Sequence, residues 1–292
     1  MSSSPSDKVT GVHPVAIALV LSAAFAHAAW NLFAKQVPGG GALFVWLAAA
    51  AGATFLLPVA AVIVVRDGLP GVSWLAFGVS GVVHLGYFVL LQRGYRVGDL
   101  SVVYPLARGT GPLLSVLAAV WFLHERPGVA ALLGAAAVVA GVLVIGGLGA
   151  GAGWAGVGYG LATGAMIATY TLWDANAVTA LAVSPLVLMA GSTLTETVLL
   201  APYALARRAE VTALWRAHRT QILGVAVLSP LAYVLVLFAM RLAPVSLVAP
   251  ARELSIVVGS LGAWLLLGEP NPVRRLTGSV IVLAGVAAIA VG

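Results

Sequence analysis

The chain has 292 residues, 61% of them hydrophobic and only 8% charged, with a mean hydropathy of +1.07. Soluble domains carry about a quarter charged residues, so this composition excludes a water-soluble globule and points to the bilayer. Cysteine is absent, which excludes disulfides and thiolate chemistry. The net charge of +6 sits in short basic clusters without a Lys/Arg stripe, which argues against a nucleic-acid partner.

Residues 1–11, rich in Ser with Pro and Gly, read as a disordered tail. Lys8 and the apolar run through Ala24-Phe25-Ala26 imitate a secretory signal, but the run continues to Phe33 and is expected to stay as a helix. From there, apolar stretches of roughly 17 to 25 residues, enough to cross a ~30 Å hydrocarbon core, predict ten helices. They fall at 14–34, 41–64, 73–92, 99–123, 128–148, 153–173, 181–203, 221–240, 243–267 and 275–291, with a Gly/Ala linker at 146–153.

Several of these helices carry one polar-aromatic face, because residues three, four and seven apart share a side. The first groups His27, Trp30 and Asn31, and the third Ser80, His84 and Tyr87. On the fourth, Tyr104, Arg108, Gly111 and Ser115 form a stripe, with Glu125 just beyond the helix end. The sixth carries Met166, Tyr170, Trp173 and, at its end, Asp174; the seventh carries Thr193, Glu196 and Thr197. Tyr233 lies on the eighth, and Ser246, Glu253 and Ser260 on the ninth, with Arg252 about 100° round from Glu253. Gly78-Val79-Ser80-Gly81 has the pattern of an intramembrane serine nucleophile, but no histidine on a later helix can serve it, so it reads as small residues for close packing. No His-Glu-x-x-His, Walker loop or intramembrane aspartyl-protease pattern is present, so no enzymatic activity, metal or cofactor is expected.

The second half of the chain repeats the first. Ala107-Arg108, Glu125, Gly134 and Ala140-Gly141 recur 144 residues later as Ala251-Arg252, Glu269, Gly278 and Ala284-Gly285. Leu85-Gly86-Tyr87 answers Leu231-Ala232-Tyr233, and Trp30-Asn31 answers Trp173-Asp174. Five helices per repeat, an odd number, require the halves to cross in opposite directions. The expected fold class is an all-α membrane protein of ten transmembrane helices in a 5+5 inverted repeat, with units at 12–148 and 154–291.

Each ionisable residue at membrane depth costs roughly 2.5–3.5 kcal/mol to insert and therefore needs a partner or a wet cavity. Arg108 and Arg252 are the deepest, each just past a proline, Pro105 or Pro250, where a broken helix is expected beside the charge. Two readings stand. The arginines, with Glu196 and Glu253, are either a permanent structural pairing or the binding site of a small polar solute with an anionic or zwitterionic group. The candidate substrate-binding residues are Arg108, Arg252, Glu253, Glu196, His27, His84, Asn31, Trp30, Tyr87, Tyr104, Tyr170, Asp174 and Tyr233. Glu253 and Glu196 are candidates for proton coupling. For Trp30 and Trp173, near helix ends, the alternative is interfacial anchoring or interhelical packing. Glu125 and Glu269 read as caps of the following helix or partners of a nearby arginine.

Trp121-Phe122-Leu123-His124-Glu125-Arg126, then Gly134 and Ala140-Gly141, echoed by Trp264 through Gly268-Glu269-Pro270 and by Gly278 and Gly285, resembles two copies of the EamA domain of the drug/metabolite transporter superfamily. The resemblance spans 12–291, with His124 in place of the family's glycine before the first glutamate. It implies alternating access and export of a small metabolite or drug, without ATP, across a bacterial inner membrane. The alternatives are efflux of cationic amphiphiles, with Glu196 or Glu253 binding the cation against aromatic faces, and a membrane accessory or sensor protein that transports nothing.

Basic residues set the orientation. Lys8, Arg66, Arg126 and Arg241 lie on one side, and Lys35, Arg93, Arg96, Arg207, Arg208, Arg216, Arg219, Arg274 and Arg275 on the other. The positive-inside rule makes the second side cytoplasmic and both termini external, whereas the family resemblance implies cytoplasmic termini. The charge bias predicts that Arg216→Cys in intact cells escapes an impermeant thiol reagent; labelling would hand the decision to the family's orientation.

Overall fold

The computed structural model describes residues 13–37, 41–97, 100–146, 154–267 and 272–291. The N-terminal tail, most of the linker and Glu269 lie outside the described residues. Within them the secondary structure is helical throughout. The helices are α1 (Pro14–Lys35), α2 (Gly41–Asp67), α3 (Ser73–Val97), α4 (Leu100–Phe122), α5 (Val129–Gly146), α6 (Trp154–Thr179), α7 (Pro185–Leu205), α8 (Arg208–Met240), α9 (Val245–Ala251), α10 (Leu254–Leu267) and α11 (Pro272–Val291). Seven described stretches are long and apolar enough to cross a membrane, one of them running from α9 into α10, and the apolar parts of α4 and α5 are shorter. The chain is a multi-pass membrane protein.

Three elements depart from the sequence expectation. The basic segment read as a loop before residue 221 is helical from Arg208, with a kink at His218 (φ −132, ψ 25). Its Arg, Ala, Leu and Glu residues favour helix even where their charge keeps them out of the bilayer. Helix α6 runs on to Thr179, so Asp174 lies inside it rather than at its end. A break was expected at both prolines, yet α4 passes through Pro105 and Arg108 unbroken, and only the second copy breaks, between Ala251 and Leu254. One proline removes a single ladder bond, which need not end a helix, as Pro58, Pro202 and Pro230 inside α2, α7 and α8 also demonstrate. At the break the ladder tightens to three-residue steps: Glu253 N–H donates to Pro250 C=O (3.0 Å), Ser255 to Arg252 (3.2 Å) and Ile256 to Glu253 (2.9 Å).

Glycine contacts fix how the helices run. A Cβ placed on Gly134 of α5 would stand 2.5 Å from Gly285 O of α11, and one on Gly141 would stand 2.8 Å from Gly278 O. The contacts are reciprocal, since Gly285 and Gly278 would meet Gly134 O and Gly141 O in turn. Gly278 is the repeat mate of Gly134 and Gly285 that of Gly141. Equivalent helices therefore meet antiparallel, each glycine against the mate of the other, as at a two-fold interface. Across the halves, α4 runs parallel to α6 (Leu106 by Gly160, Thr110 by Gly164), α3 to α7 (Phe77 by Gly191, Gly81 by Thr195) and α1 to α10 (Ala28 by Gly259, Leu32 by Gly262).

The apolar core is lopsided along these axes. Its main cluster includes Ala16 and Val20 near the start of α1, Phe77 of α3, Val187 and Leu188 of α7, and Val245 and Val248 of α9. It also takes Val178 from the end of α6 and Leu237 and Met240 from the end of α8. The main apolar cluster thus gathers at one end of the bundle.

Where backbones touch, a single methyl group is too much. Gly134→Ala is expected to lower stability by about 1–3 kcal/mol, read as a lower thermal midpoint in detergent. Gly158→Ala on α6, where nothing lies within 4 Å of the added carbon, should be neutral or slightly stabilising. Equal effects at the two positions would contradict the close α5–α11 contact.

Candidate functional site

The break between α9 and α10 puts a charge cluster at the centre of the bundle. Glu253, with 0% exposure, lies between two arginines. Its Oε2 is 2.9 Å from a terminal nitrogen of Arg108 on α4, and its Oε1 is 3.8 Å from Nε of Arg252. Arg108 also donates to Ser255 Oγ at 3.3 Å, across the two halves. Both guanidinium groups are buried, yet the Nε atoms of Arg108 and Arg252 have no hydrogen-bond partner among the described residues. One carboxylate against two guanidinium groups leaves this cluster one positive charge in surplus.

Aromatic rings cover the next layer. The Arg252 guanidinium stands 5.9 Å from the centre of the Tyr170 ring of α6, a cation–π arrangement. His84 of α3 stacks on the other rings: 4.1 Å from Tyr170 at an interplanar angle of 24°, and 5.4 Å from Tyr233 of α8, edge to face. Tyr87 meets Tyr170 edge-on at 5.9 Å, and Tyr170 meets Tyr233 at the same distance. Behind them Tyr233 donates its hydroxyl proton to Asp174 Oδ2 at 2.6 Å, and His84 Nε2 is 4.0 Å from the same oxygen.

A cavity of about 560 Å³ leads toward this layer. Trp30, Asn31, Tyr87, Tyr104, Thr193 and Glu196 line it, as do Val37 and Arg96 near the ends of α1 and α3. It therefore reaches the end of the bundle where α1 and α3 finish and α2 begins, opposite the packed apolar core. Arg96 belongs to the strongly basic side defined above. Tyr87 and Tyr104 stand on the cavity wall, Tyr87 against Tyr170 and Tyr104 one helical turn before Arg108, so the cavity borders the buried layer.

The sequence candidates thus divide into two connected groups. Arg108, Arg252, Glu253, Tyr170, His84, Tyr233 and Asp174 form the buried layer, while Trp30, Asn31, Tyr104 and Glu196 line the cavity, with Tyr87 in both. Glu196 makes no ion pair among the described residues, so the two-against-two pairing with the arginines is not what the structure contains; Glu253 alone serves both. His27 does not line the cavity: its ring meets Trp30 edge-on at 4.9 Å and its carbonyl accepts from Asn31 at 2.7 Å. Trp173 donates from Nε1 to Ala76 O at 3.2 Å, holding α6 to α3 rather than anchoring at an interface.

Ser255 lies outside the sequence candidates, and Glu125 has a different partner from the one its position suggests. Ser255, one helical turn after Arg252, is the repeat mate of Gly111 and was hidden in an apolar run. Glu125 caps no neighbouring helix: its two oxygens accept from the backbone N–H of Val245 (2.8 Å) and Ser246 (2.9 Å), at the start of α9 in the other half. No local signal could reveal a contact 120 residues away. A carboxylate there meets both unpaired amides and the positive end of the helix. It ties the apolar end of the bundle to the segment that carries Arg252.

The profile described as the EamA-like transporter family matches residues 14–147 and again 154–291. A crystal structure of a protein 17% identical to this one superposes with a TM-score of 0.71, covering 94% of this chain and 95% of that chain, a likeness of fold alone. A search of the curated proteins finds no match to the sequence. With nearly its whole length covered by two copies of one domain, the chain belongs to the EamA-like transporter family, within the drug/metabolite transporter superfamily.

Removing the Glu125 carboxylate leaves two helix-end amides without their charged acceptor. Glu125→Ala should destabilise the protein by about 1–3 kcal/mol, and Glu125→Gln, which keeps one carbonyl oxygen, by less. Rising reactivity of a cysteine placed at Ser246 would locate the loosening at this end. An unchanged midpoint and unchanged reactivity in Glu125→Ala would contradict the clamp.

Proposed function

We propose that this protein is a secondary transporter that moves a small polar organic solute with an anionic or zwitterionic group across the bacterial inner membrane by alternating access, in the direction of export. The reading takes residues 12–148 and 154–291 as the two units of a 5+5 inverted repeat. The observation that carries it is the surplus charge: Glu253 is the one carboxylate for two buried guanidinium groups, closer to Arg108 (2.9 Å) than to Arg252 (3.8 Å), and Arg252 Nε makes no hydrogen bond among the described residues. A buried guanidinium without a full complement of acceptors is a site for a carboxylate or phosphoryl oxygen, which it binds in bidentate fashion. The solute's body then occupies the cavity among Trp30, Asn31, Tyr104 and Glu196, and its anionic end passes Tyr87 and Tyr104 to Arg252.

Alternating access is supported by asymmetry along the bundle. The cavity lies toward the basic side and the apolar core gathers at the opposite end, as one of two states related by exchange of the halves would have it. With the basic side cytoplasmic, this is the inward-facing state. A cavity of about 560 Å³ falls in the range of small-molecule sites and has no use in a protein that only scaffolds a partner. Efflux of an amphiphilic cation remains a second reading, favoured by Glu196 standing in the cavity wall beside Trp30, Phe44 and Tyr104.

Arginine replacements separate binding from architecture. Glu253→Ala leaves two buried cations facing each other and should cost about 3–5 kcal/mol, the largest loss among the single variants here. Arg252→Lys keeps the charge and should fold, but loses the bidentate fork, worth about 1.5–3 kcal/mol, or roughly tenfold to a hundredfold in affinity. The measurement is thermal stability together with uptake of labelled organic acids and amino acids by proteoliposomes. Full recovery of both stability and transport in Arg252→Ala/Glu253→Ala would overturn the anion site.

A further inference from the structure

We propose that Asp174 and His84 form one proton-binding site whose protonation is coupled to the charge state of Arg252, so that a proton and the anionic group of the solute bind together. The substrate half of this statement rests on the reading above; the proton site does not.

Geometry makes the two residues a unit. His84 Nδ1 is 2.9 Å from Ser80 C=O, and a carbonyl can only accept, so Nδ1 carries a hydrogen. The remaining nitrogen, Nε2, is the one able to gain or lose a proton, and it points at Asp174 Oδ2 from 4.0 Å. Asp174 cannot reach water directly, with 0% of its side chain exposed, whereas His84 keeps 20%. Of the two, the imidazole is therefore the member through which a proton can arrive. Among the described residues the hydrogen-bond donors at the Asp174 carboxylate are neutral hydroxyls, that of Tyr233 at 2.6 Å from Oδ2 and that of Ser80. Of the buried carboxylates, Glu253 is neutralised by an arginine at 2.9 Å and Asp174 is not.

Every helix packed against α6 contributes to the field at this site. From α3 come His84, Ser80 and Tyr87; from α4, Arg108 and Tyr104; from α7, Glu196; from α8, Tyr233; and from the break, Arg252 and Glu253. Arg252 stands over Tyr170, one helical turn before Asp174. Without a proton the pair is singly negative and offsets the surplus of the arginine cluster. With one proton, on either residue, the pair is neutral and the surplus is restored. Whatever the charge on Glu196, the added proton makes the layer one unit more positive and so favours an anion at Arg252; by linkage the anion favours the proton equally.

The repeat supplies an independent observation. Asp174 answers Asn31, which lines the cavity and cannot titrate, and Tyr233 answers Tyr87, also on the cavity wall. Only one of the two equivalent positions can carry a proton, which gives the cycle one proton site instead of two.

Infrared difference spectroscopy of the protein in nanodiscs, titrated between mildly alkaline and mildly acidic pH without added solute, tests the proposal. In the wild type we expect one protonation step that is lost in both Asp174→Asn and His84→Gln and retained in Glu196→Gln. In Arg252→Gln, which removes the positive charge as a bound anion would, the step should move to higher pH. Persistence of the step in Asp174→Asn, or its loss in Glu196→Gln alone, overturns the proton site. A step that does not move upward in Arg252→Gln overturns the coupling. Because no solute enters the experiment, failure here leaves the transport reading to its own test.

Discussion

Everything at the centre of this protein depends on one carboxylate held between two guanidinium groups. Glu253 has no exposure, and neither arginine would be tolerated in its place without it, because an unpaired ion in a low-dielectric interior is among the most expensive things a fold can hold. The broken helix follows from that requirement. Pro250 has already removed a ladder bond, and the tight turn after it places Arg252 and Glu253 in the same buried layer where Arg108 of the unbroken mate helix can reach them. The first repeat thus supplies a cation, and the second supplies a cation and the anion that answers both.

This arrangement ties the two halves together through buried polar contacts. Arg108 and Ser255 hold α4 to α10 at the centre, Glu125 holds the start of α9 from the other half at the apolar end, and α5 packs on α11 through reciprocal glycines. None of these contacts lies on the cavity wall. On the alternating-access reading proposed above, closing the cavity and opening the opposite end would pivot about the charge layer, with the polar contacts of Glu125 and the apolar side chains around Val248 and Leu237 giving way. Small residues suit such an interface, since Ala and Val separate with less loss of buried area than larger side chains.

Much of this was legible in the sequence, and what was not has definite causes. Hydropathy locates most helices because the bilayer demands internally satisfied backbone, and the fixed offset between Arg108 and Arg252 pointed to a shared centre. Helical spacing also grouped His84 with Tyr87 and Tyr170 with Asp174 correctly by face. It could not say that Tyr233 donates to Asp174, or that Glu253 answers both arginines while Glu196 stands apart in the cavity wall, because partners across helices are set by packing rather than by spacing. The asymmetry of the break was equally hidden: Pro105 and Pro250 are equivalent in sequence, yet only one helix stops. The helical start of α8 is invisible to hydropathy, because the charges from Arg207 to Arg219 mask residues whose intrinsic preference is for helix.

The most direct test of the central claim is which solutes stabilise the purified protein. Amino acids, organic acids, phosphonates and cationic dyes, compared by thermal shift in wild type and in Arg252→Gln, probe the surplus charge without assuming a transport direction. The account predicts that compounds bearing a carboxylate or phosphonate raise the midpoint of the wild type and lose that effect in Arg252→Gln. Stabilisation by the cationic dyes alone, undiminished in Arg252→Gln, would contradict it.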